Sequence, residues 1–322
     1  MSFSRDIADY PEGIVLAVDK PYRWTSADVI RKLKYAAIKH FGKKNLKVGH
    51  AGTLDPLATG VLLVCIGNAC KRAQELQDHD KEYIARIRFG ATTPSYDLEK
   101  EVDRRFPYEH ITADAVRAAL PAFLGEQEQV APLFSAKSVD GVRAYELARK
   151  LYRAGKTEAI DAAALETLHR NRINISELEL LSYAEEGMEV SEPSLRDPSH
   201  SQRAAHGSGP LPFRERFSPY NPQGDTCPDG ARPRVAMGSE TSIPSSASSR
   251  IHVADTSGMG LPEATIRIAC SKGTYIRAFA RDLGETLGSG AHLSGLIRSR
   301  SGDYTIDQAL SVEEALTLLQ AE

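Results

Sequence analysis

The sequence has few cysteines, no long hydrophobic run and no apolar segment at its N-terminus. Its four cysteines form no CxxC pair, which argues against a zinc ribbon and against a disulfide framework. The first residues, MSFSRDIADYPEG, lack the apolar region of a secretory signal peptide. No apolar run approaches the roughly 20 residues that a membrane helix needs. These absences predict a cytoplasmic protein that has no contact with a membrane.

Several motifs of common enzyme classes are also missing. The nine histidines show no HExxH or similar metal-binding spacing. Neither the GxSxG elbow of serine hydrolases nor the GxxxxGK phosphate loop of nucleotide triphosphatases occurs. We therefore expect neither a metal nor a cofactor.

The charge distribution is uneven, although the net charge is only −3. No Asp or Glu occurs between Val29 and Leu54, and this window holds a group of basic residues: Arg31, Lys32, Lys34, Lys39, Lys43, Lys44 and Lys47. Such a run is usually a solvated helix face. The alternative, a phosphate-binding edge, gains weight only if catalytic residues lie beside it.

Hydrophobic periodicity predicts mixed helices and strands. Helical spacing is found from Ser26, the expected N-cap, to about Phe41, over 113–124 and 145–152, and from Ile276 to Leu287. Strand patterns occur in VLLVCIG, EYIARIRFG, NRINISELELL and EATIRIACS. Because these elements lack a regular βαβ rhythm, the sequence predicts an α+β domain.

The composition changes after about Glu186. Ten of the 17 prolines lie between this residue and Pro262, together with many serines and glycines. Such a segment cannot bury enough apolar surface to offset the entropy of ordering. We therefore predict one catalytic domain over residues 1–322, interrupted by a disordered insertion at about 186–262.

One carboxylate, Asp55, stands in the run HAGTLDPLATG, among residues that favour a tight backbone path. Taken alone, such an aspartate is usually a turn former or a helix cap. Arg277, in CSKGTYIR, is expected at the start of a helix, and an arginine paired with a buried carboxylate would keep that carboxylate ionised. The pairing is a hypothesis, since sequence separation does not report contact. Together with basic flanks and aromatic residues, it suits an RNA enzyme that flips a base out of its stack.

Five longer stretches resemble one known family. They are DKPYRWTS, KVGHAGTLDPLATGVLLVCIGNACK, DKEYIARIRFGATTPSYDLE, PLFSAKSVDGVRAYELARK and CSKGTYIRAFARDLGETLGSGAHLSGLIRSRSG. In this order they are similar to the TruB-type tRNA pseudouridine-55 synthases. The resemblance extends from about Gly13 to Tyr304, excluding the insertion.

This resemblance implies a mixed, largely antiparallel sheet flanked by helices, with an RNA cleft on one face. It also implies isomerisation of uridine to pseudouridine in the T-arm loop of tRNA, without a cofactor. Asp55 matches the catalytic aspartate, and whether it attacks the ribose or the base stays open. Arg277 matches the arginine that pairs with it. Tyr83 matches the tyrosine that stacks on the flipped base and accepts the C5 proton, although a strand tyrosine is more often a core residue.

The resemblance further implies a set of RNA-binding residues: His50, Lys20, Lys71, Tyr275, Leu296, Lys137 and Arg143. A positioning role is expected for His50, and phosphate binding or a structural role for the first two lysines. Core packing is an equal alternative for Tyr275 and Leu296. The other two basic residues lie in a loop from Pro132 to Arg149 that is expected to grip RNA. The expected partner is the tRNA T arm, bound by a monomer.

The sequence departs from the family pattern in three places. Cys70 stands where threonine is common, the Pro/Ser-rich insertion has no counterpart, and the chain ends without the C-terminal RNA-binding PUA domain of many bacterial relatives. We therefore expect the catalytic domain alone to hold the tRNA. Two other functions stay open: a synthase of the same family that acts on another RNA, and a non-catalytic RNA chaperone.

Overall fold

The computed structural model describes residues 3–135, 137–139, 142–168, 170–185 and 251–320. The α-helices in this part of the chain are α1 (Ser26–Phe41), α2 (Ala73–Asp78), α3 (Ala113–Ala119), α4 (Ala144–Arg153), α5 (Ala159–Thr167), α6 (Ile276–Thr286) and α7 (Val312–Leu318). The strands are β1 (Ile14–Lys20), β2 (Val48–Ala51), β3 (Ala58–Ile66), β4 (Lys81–Phe89), β5 (Ala91–Thr92), β6 (Arg104–Arg105), β7 (Gly125–Gln129), β8 (Ser138–Val139), β9 (Val142–Arg143), β10 (Asn171–Ala184), β11 (Glu263–Cys270), β12 (Ala291–Ser301) and β13 (Tyr304–Thr305). No helix among them is long and apolar enough to cross a bilayer.

Nine of these strands form one sheet, in the order β1-β3-β12-β4-β11-β10-β7, with β2 beside β3 and β13 beside β12. Its pairings are antiparallel except that of β3 with β12, which is parallel. The predicted α+β class and the mixed, largely antiparallel sheet are thus confirmed. The parallel pair places the start of β3 against the C-terminal half of β12, and this junction carries the site described below.

Helix α1 begins with a capping box. The Thr25 side chain accepts a hydrogen bond from the backbone of Asp28, and the Asp28 carboxylate accepts one from the Thr25 backbone. The N-cap is therefore one residue earlier than predicted, because Thr25 has an acid three residues ahead of it. The helix ends at Gly42, whose left-handed conformation (φ 61°) favours glycine.

Strand β3 is buried on both faces. Leu62, Val64 and Ile66 point into the main core, where α1 and α6 pack. Their neighbours Val61 and Leu63 belong to a second cluster on the opposite face. A strand covered on both sides reads as an unbroken apolar run, which explains why VLLVCIG shows no alternation.

Gly60 allows β3 and β12 to come close. Its φ of 99° is a conformation that favours glycine. A Cβ atom at this position would lie 2.3 Å from the carbonyl oxygen of Arg298 on β12. The close approach of the two strands therefore depends on the absence of a side chain here.

The last part of the predicted insertion belongs to the described structure. Residues 251–262 have defined positions: Ala254 donates a backbone hydrogen bond to Leu98, and Thr256 and Leu261 are buried. This part of the chain packs on the domain despite its small and polar composition. The rest of the predicted insertion, residues 186–250, lies outside the described residues.

Candidate active site

Asp55 and Arg277 are in direct contact. The Arg277 Nε donates to Asp55 Oδ2 at 2.9 Å, and Nη2 donates to Oδ1 at 3.1 Å. The arginine side chain is only 6% exposed, whereas the carboxylate is 38% exposed. The hypothesised pair therefore forms, with its cation buried and its carboxylate accessible to a ligand.

The loop that carries Asp55 is held from two sides. On one side, the Ser26 hydroxyl, in the first turn of α1, accepts a hydrogen bond from the Leu54 backbone at 3.0 Å and donates one to its carbonyl at 3.2 Å. On the other side, the Lys20 ammonium donates to the Pro56 carbonyl at 3.2 Å. These contacts fix both neighbours of Asp55, so the carboxylate is mounted on a rigid loop.

Lys20 is fully buried at the end of β1. Its ammonium also donates to the carbonyls of Pro21 (3.0 Å) and Trp24 (2.6 Å). Burial lowers the pKa of this ammonium from 10.5 to about 7. An ammonium with no exposed surface and three carbonyl partners cannot reach an RNA phosphate, so the geometry favours the structural alternative for Lys20.

A second carboxylate, Asp97, which sequence reasoning missed, lies behind Arg277. Its Oδ2 is 3.6 Å from the Arg277 Nε, and its Oδ1 accepts hydrogen bonds from the Ser95 hydroxyl (2.6 Å) and the Glu99 backbone (2.9 Å). Burial raises the pKa of the Asp97 carboxyl. Burial, and then the charge of Asp97, raise the pKa of Glu99 to about 7. Asp97 lies in the run TTPSYDLE, but no pattern within this run indicates that it contacts Arg277.

A cavity opens beside the Asp55 carboxylate. It is lined by Asp55, Asp97 and Arg277 and, from β12, by Leu293, Gly295 and Leu296. Leu296 arrives there because it pairs with Ala58 at the start of β3. The predicted pocket position of Leu296 therefore lies in the same cavity as Asp55.

Tyr83 lies on β4, between β11 and β12, opposite Ile268 on one side and Arg298 on the other. Burial raises the pKa of its hydroxyl, and the charges of Arg298 and Asp55 also act on it. The negative charge of Asp55 thus contributes to the raised pKa of the Tyr83 hydroxyl.

His50 and Tyr275 occupy the margins of the site. His50 is half-buried on β2, where burial, and then the charge of Arg298, lower its pKa. Tyr275 is the N-cap residue of α6, and its backbone exchanges two hydrogen bonds with the Gln129 side chain, at 2.8 and 3.2 Å. Its side chain packs on a small apolar cluster within residues 131–168. Tyr275 therefore links α6 to the segment predicted to grip RNA.

The remaining basic candidates are Lys71, Lys137 and Arg143. Lys71 is exposed in the turn that follows β3, whereas Asp55 precedes this nine-residue strand. A strand of that length spans about 30 Å. Lys137 donates a hydrogen bond to Asn171 at 2.5 Å. Arg143 lies in β9, but its side chain is outside the described part of the structure.

The arrangement provides one accessible, oriented carboxylate next to a cavity. Such a group can act as a nucleophile toward an electrophilic carbon in a bound ligand. The described residues contain no group of three or more His, Cys, Asp or Glu side chains that could hold a metal ion.

Comparison with known proteins identifies close relatives. Residues 38–192 match the family described as TruB family pseudouridylate synthase (N terminal domain). The tRNA pseudouridine synthase B of Phocaeicola vulgatus is 41% identical over 305 residues, which cover 95% of this chain and 92% of that protein. The enzyme of the same name from Bacteroides fragilis is 40% identical over 302 residues (94% and 92%). That of Thermus thermophilus is 36% identical over 298 residues (92% and 76%).

Solved structures share the fold at lower identity. A chain in the crystal structure of a Cbf5–Nop10–Gar1 complex matches with a TM-score of 0.52 and 19% identity, over 96% of this chain and 55% of that one. A chain of an H/ACA RNP bound to a substrate RNA containing 2′-deoxyuridine matches with a TM-score of 0.50 and 17% identity (98% and 57%). The present chain thus spans little more than half the length of these two proteins.

Proposed function

The chain belongs to the TruB family of pseudouridylate synthases and isomerises uridine to pseudouridine in tRNA, and we propose that it modifies the T-arm uridine with Asp55 as the nucleophile. The reaction breaks the bond between ribose C1′ and N1 of uracil and forms a bond between C1′ and C5. Because substrate and product contain the same atoms, no co-reactant is consumed. The observation that carries the proposed role of Asp55 is its accessible carboxylate, held by a buried guanidinium beside a cavity.

To act as the nucleophile, the Asp55 carboxylate must present an electron pair in the direction of the substrate. The two parallel hydrogen bonds from Arg277 fix the plane of the carboxylate. The Ser26 and Lys20 contacts fix the loop on either side. This carboxylate can attack either ribose C1′ or the base.

A uracil stacked inside an RNA loop cannot reach this carboxylate, so the target nucleotide must be flipped into the cavity. Leu296 lines the cavity, and Tyr83 lies near Asp55. We assign Tyr83 to stacking on the flipped uracil and to accepting the C5 proton, Leu296 to lining the base pocket, and His50 to guiding the nucleotide.

The exposed face of α1 is the RNA-binding surface that we propose next to the site. Arg31, Lys34 and Lys39 are exposed on this helix, as is Tyr35, whose side chain is 66% exposed. The first turn of α1 contacts the Asp55 loop through Ser26. A basic surface that begins at the catalytic loop suits the phosphates of the T arm. Lys71, Lys137 and Arg143 are assigned to more distant phosphate contacts.

We also propose that the enzyme acts as a monomer in the cytoplasm, without a metal or a cofactor. In support, Asp55 and Arg277 form their ion pair within one chain. An isomerisation also requires no change of oxidation state.

Tritium release from tRNA labelled at C5 of uridine tests the assignment. The wild type should release label, and Asp55→Asn should release it more slowly by on the order of 1000-fold. Its affinity for tRNA should change by less than about threefold, because the amide keeps the shape of the carboxylate. Asp114→Asn, an exposed change on α3, is the control and should match the wild type.

Two outcomes would contradict the proposal. Equal release by Asp55→Asn and the wild type would remove Asp55 from the reaction. Continued release from a tRNA whose T-arm uridine is replaced by cytidine would show that another uridine is the target.

A further inference from the structure

Arg298, on β12, is among the largest fully buried side chains in the described structure, with only 1% of its surface exposed. Among the described residues, no carboxylate forms an ion pair with its guanidinium. Its hydrogen bonds go to backbone carbonyls: Nε donates to Val61 at 2.6 Å, and Nη2 donates to Gly52 at 3.2 Å. A buried guanidinium without an anionic partner is costly to desolvate. Its presence therefore calls for a functional explanation.

The two hydrogen bonds cross from β12 to the elements that carry Asp55. Val61 lies on β3, just after the loop, and Gly52 lies at the start of the loop. Arg298 thus joins both ends of the segment 52–61. A displacement of this side chain would move the carboxylate that the segment presents.

Arg298 also faces Tyr83. The two residues are paired in the register of β12 and β4, so their side chains lie on the same face of the sheet, and the charge of Arg298 acts to lower the pKa of the Tyr83 hydroxyl. Three charged or titratable groups face this hydroxyl: Arg298 from β12, Cys270 from β11 and Asp55 from the loop. Burial and the Asp55 charge oppose ionisation of the hydroxyl, and Arg298 favours it.

The basic neighbours of Arg298 yield their protons more easily than usual. Burial, and to a smaller extent the charge of Arg298, lower the pKa of Lys81 to about 8 and that of His50 below its ordinary value. For Lys20 the same two causes, against the attraction of Asp55, give a pKa of about 7. A guanidinium stays protonated at every accessible pH. The guanidinium of Arg298 therefore adds to the effect of burial on three neighbouring basic groups.

We propose that Arg298 is a positioning residue of the uridine isomerisation, which holds the Asp55 loop in place and stabilises negative charge on the Tyr83 oxygen. The inference rests on the proposed function, in which Tyr83 accepts the proton from C5. In this proposal one buried cation, Arg298, aligns both groups that react with the nucleotide, Asp55 and Tyr83.

The proton transfer that Arg298 supports follows formation of the new C1′–C5 bond. At that stage C5 carries both the ribose and its original hydrogen, and N1 is joined to C6 by a double bond. The C5–H bond breaks, and its electron pair forms the C5–C6 double bond. The electrons of the N1–C6 double bond move to N1, which takes up a proton. The Tyr83 hydroxyl first releases its proton to water, and Arg298 balances the charge of the resulting phenolate. The phenolate then takes up the proton from C5, which restores the hydroxyl.

The test uses two variants of the full-length protein and one matched control. Arg298→Gln keeps hydrogen-bond donors but removes the charge, and Arg298→Lys keeps the charge. Arg300→Gln is the control, because Arg300 lies on the same strand and donates to the Gly302 carbonyl at 3.3 Å. Single-turnover rates of pseudouridine formation, tRNA affinity and thermal unfolding are measured for each.

We expect Arg298→Gln to remain folded, to bind tRNA within about threefold of the wild type, and to react more slowly by about 100-fold. Arg298→Lys should recover at least about tenfold of that loss, and Arg300→Gln should match the wild type. A wild-type rate for Arg298→Gln would overturn the inference.

A chemical rescue separates the charge effect from a structural one. Replacing Tyr83 by 3,5-difluorotyrosine makes the phenol more acidic, so it should restore at least about tenfold of the rate lost in Arg298→Gln. The same replacement in Arg298→Met provides a second background if the Gln variant is poorly folded. Absence of rescue in a folded variant would show that Arg298 only supports the loop and overturn its role at Tyr83. If the wild type itself formed no pseudouridine in tRNA, the proposed function rather than Arg298 would have failed.

Discussion

Arg277 holds the Asp55 carboxylate through two parallel hydrogen bonds while the same guanidinium lies 3.6 Å from Asp97. One buried cation therefore serves two carboxylates of different kinds. Asp55 is exposed to the cavity and available to a ligand, whereas Asp97 is buried behind the arginine and bonded to Ser95 and Glu99. The first contact orients the Asp55 carboxylate, and the second fixes the arginine.

Removal of Arg277 should destabilise the fold as well as stop the reaction. We expect Arg277→Met to lower the free energy of unfolding by about 3–5 kcal/mol at neutral pH, because Asp97 is left buried without its cation. Adding Asp97→Asn should restore part of this loss, since it removes the unpaired charge. Urea unfolding of both single variants and the double variant measures the coupling. Purely additive effects would show that the two residues do not interact energetically.

Gly60 should tolerate no side chain. Gly60→Ala places a Cβ within 2.3 Å of the Arg298 carbonyl, so we expect a loss of stability of at least about 3 kcal/mol. Gly125→Ala is the matched control, because its φ of 88° is similar but nothing lies within 4 Å of the added atom. That variant should lose only about 1 kcal/mol from backbone strain. Equal losses would mean that strain, and not the strand contact, accounts for the effect.

Glu99 should make stability depend on pH. Its pKa rises from 4.5 to about 7 mainly because it is buried, so the folded state binds this proton more tightly than the unfolded state. The stability contributed by the protonated group is complete below pH 4.5 and is lost as the pH rises toward 7. Glu99→Gln does not titrate. Its advantage over the wild type should therefore grow across this window, to about 2–3 kcal/mol. Unfolding curves at pH 4.5, 6 and 8 would reveal it, and a constant difference would contradict it.

The basic face of α1 should contribute to tRNA affinity. We expect Lys34→Glu combined with Lys39→Glu to weaken binding by about 10- to 100-fold at low salt and to flatten its salt dependence, because fewer counterions are released. The rate at saturating tRNA should stay near that of the wild type. Arg104→Glu with Arg117→Glu, two exposed changes outside α1, provides the charge-matched control. Equal losses in both double variants would indicate a non-specific effect of net charge.

The sequence predicted helices and strands well where a capping residue or a single buried face leaves a clear local pattern. Helix α1 was predicted to within one residue of its N-cap, and β4 showed its alternation because one face is half-exposed. Strand β12 was not assigned, although it is the longest described strand of the sheet after β10. Its run AHLSGLIRSRS mixes glycine, serine and arginine. The sequence does not show that this strand is buried, because its arginine is accommodated there only through hydrogen bonds to backbone carbonyls of other elements.

Asp55 and Arg277 were identified from the sequence because they lie in long runs that resemble one family. Asp97 and Arg298 lay in the same runs and were missed, because nothing in their spacing separates them from surface charges. Both are buried by elements far away in the chain: Arg298 by the parallel pairing of β12 with β3, and Asp97 by the start of α6.

By itself the sequence determined the α+β class, the family and the short loop on which a single carboxylate stands, since these depend on local pattern and residue identity. Only the tertiary structure decided which charges share that loop. It buried Lys20 under the loop, left Lys71 at the far end of β3, and placed two guanidiniums against Asp55 and Tyr83. The physical reason is that charge pairing, and the pKa values that follow from it, depend on distance and burial, which strand pairing sets between residues more than 200 positions apart.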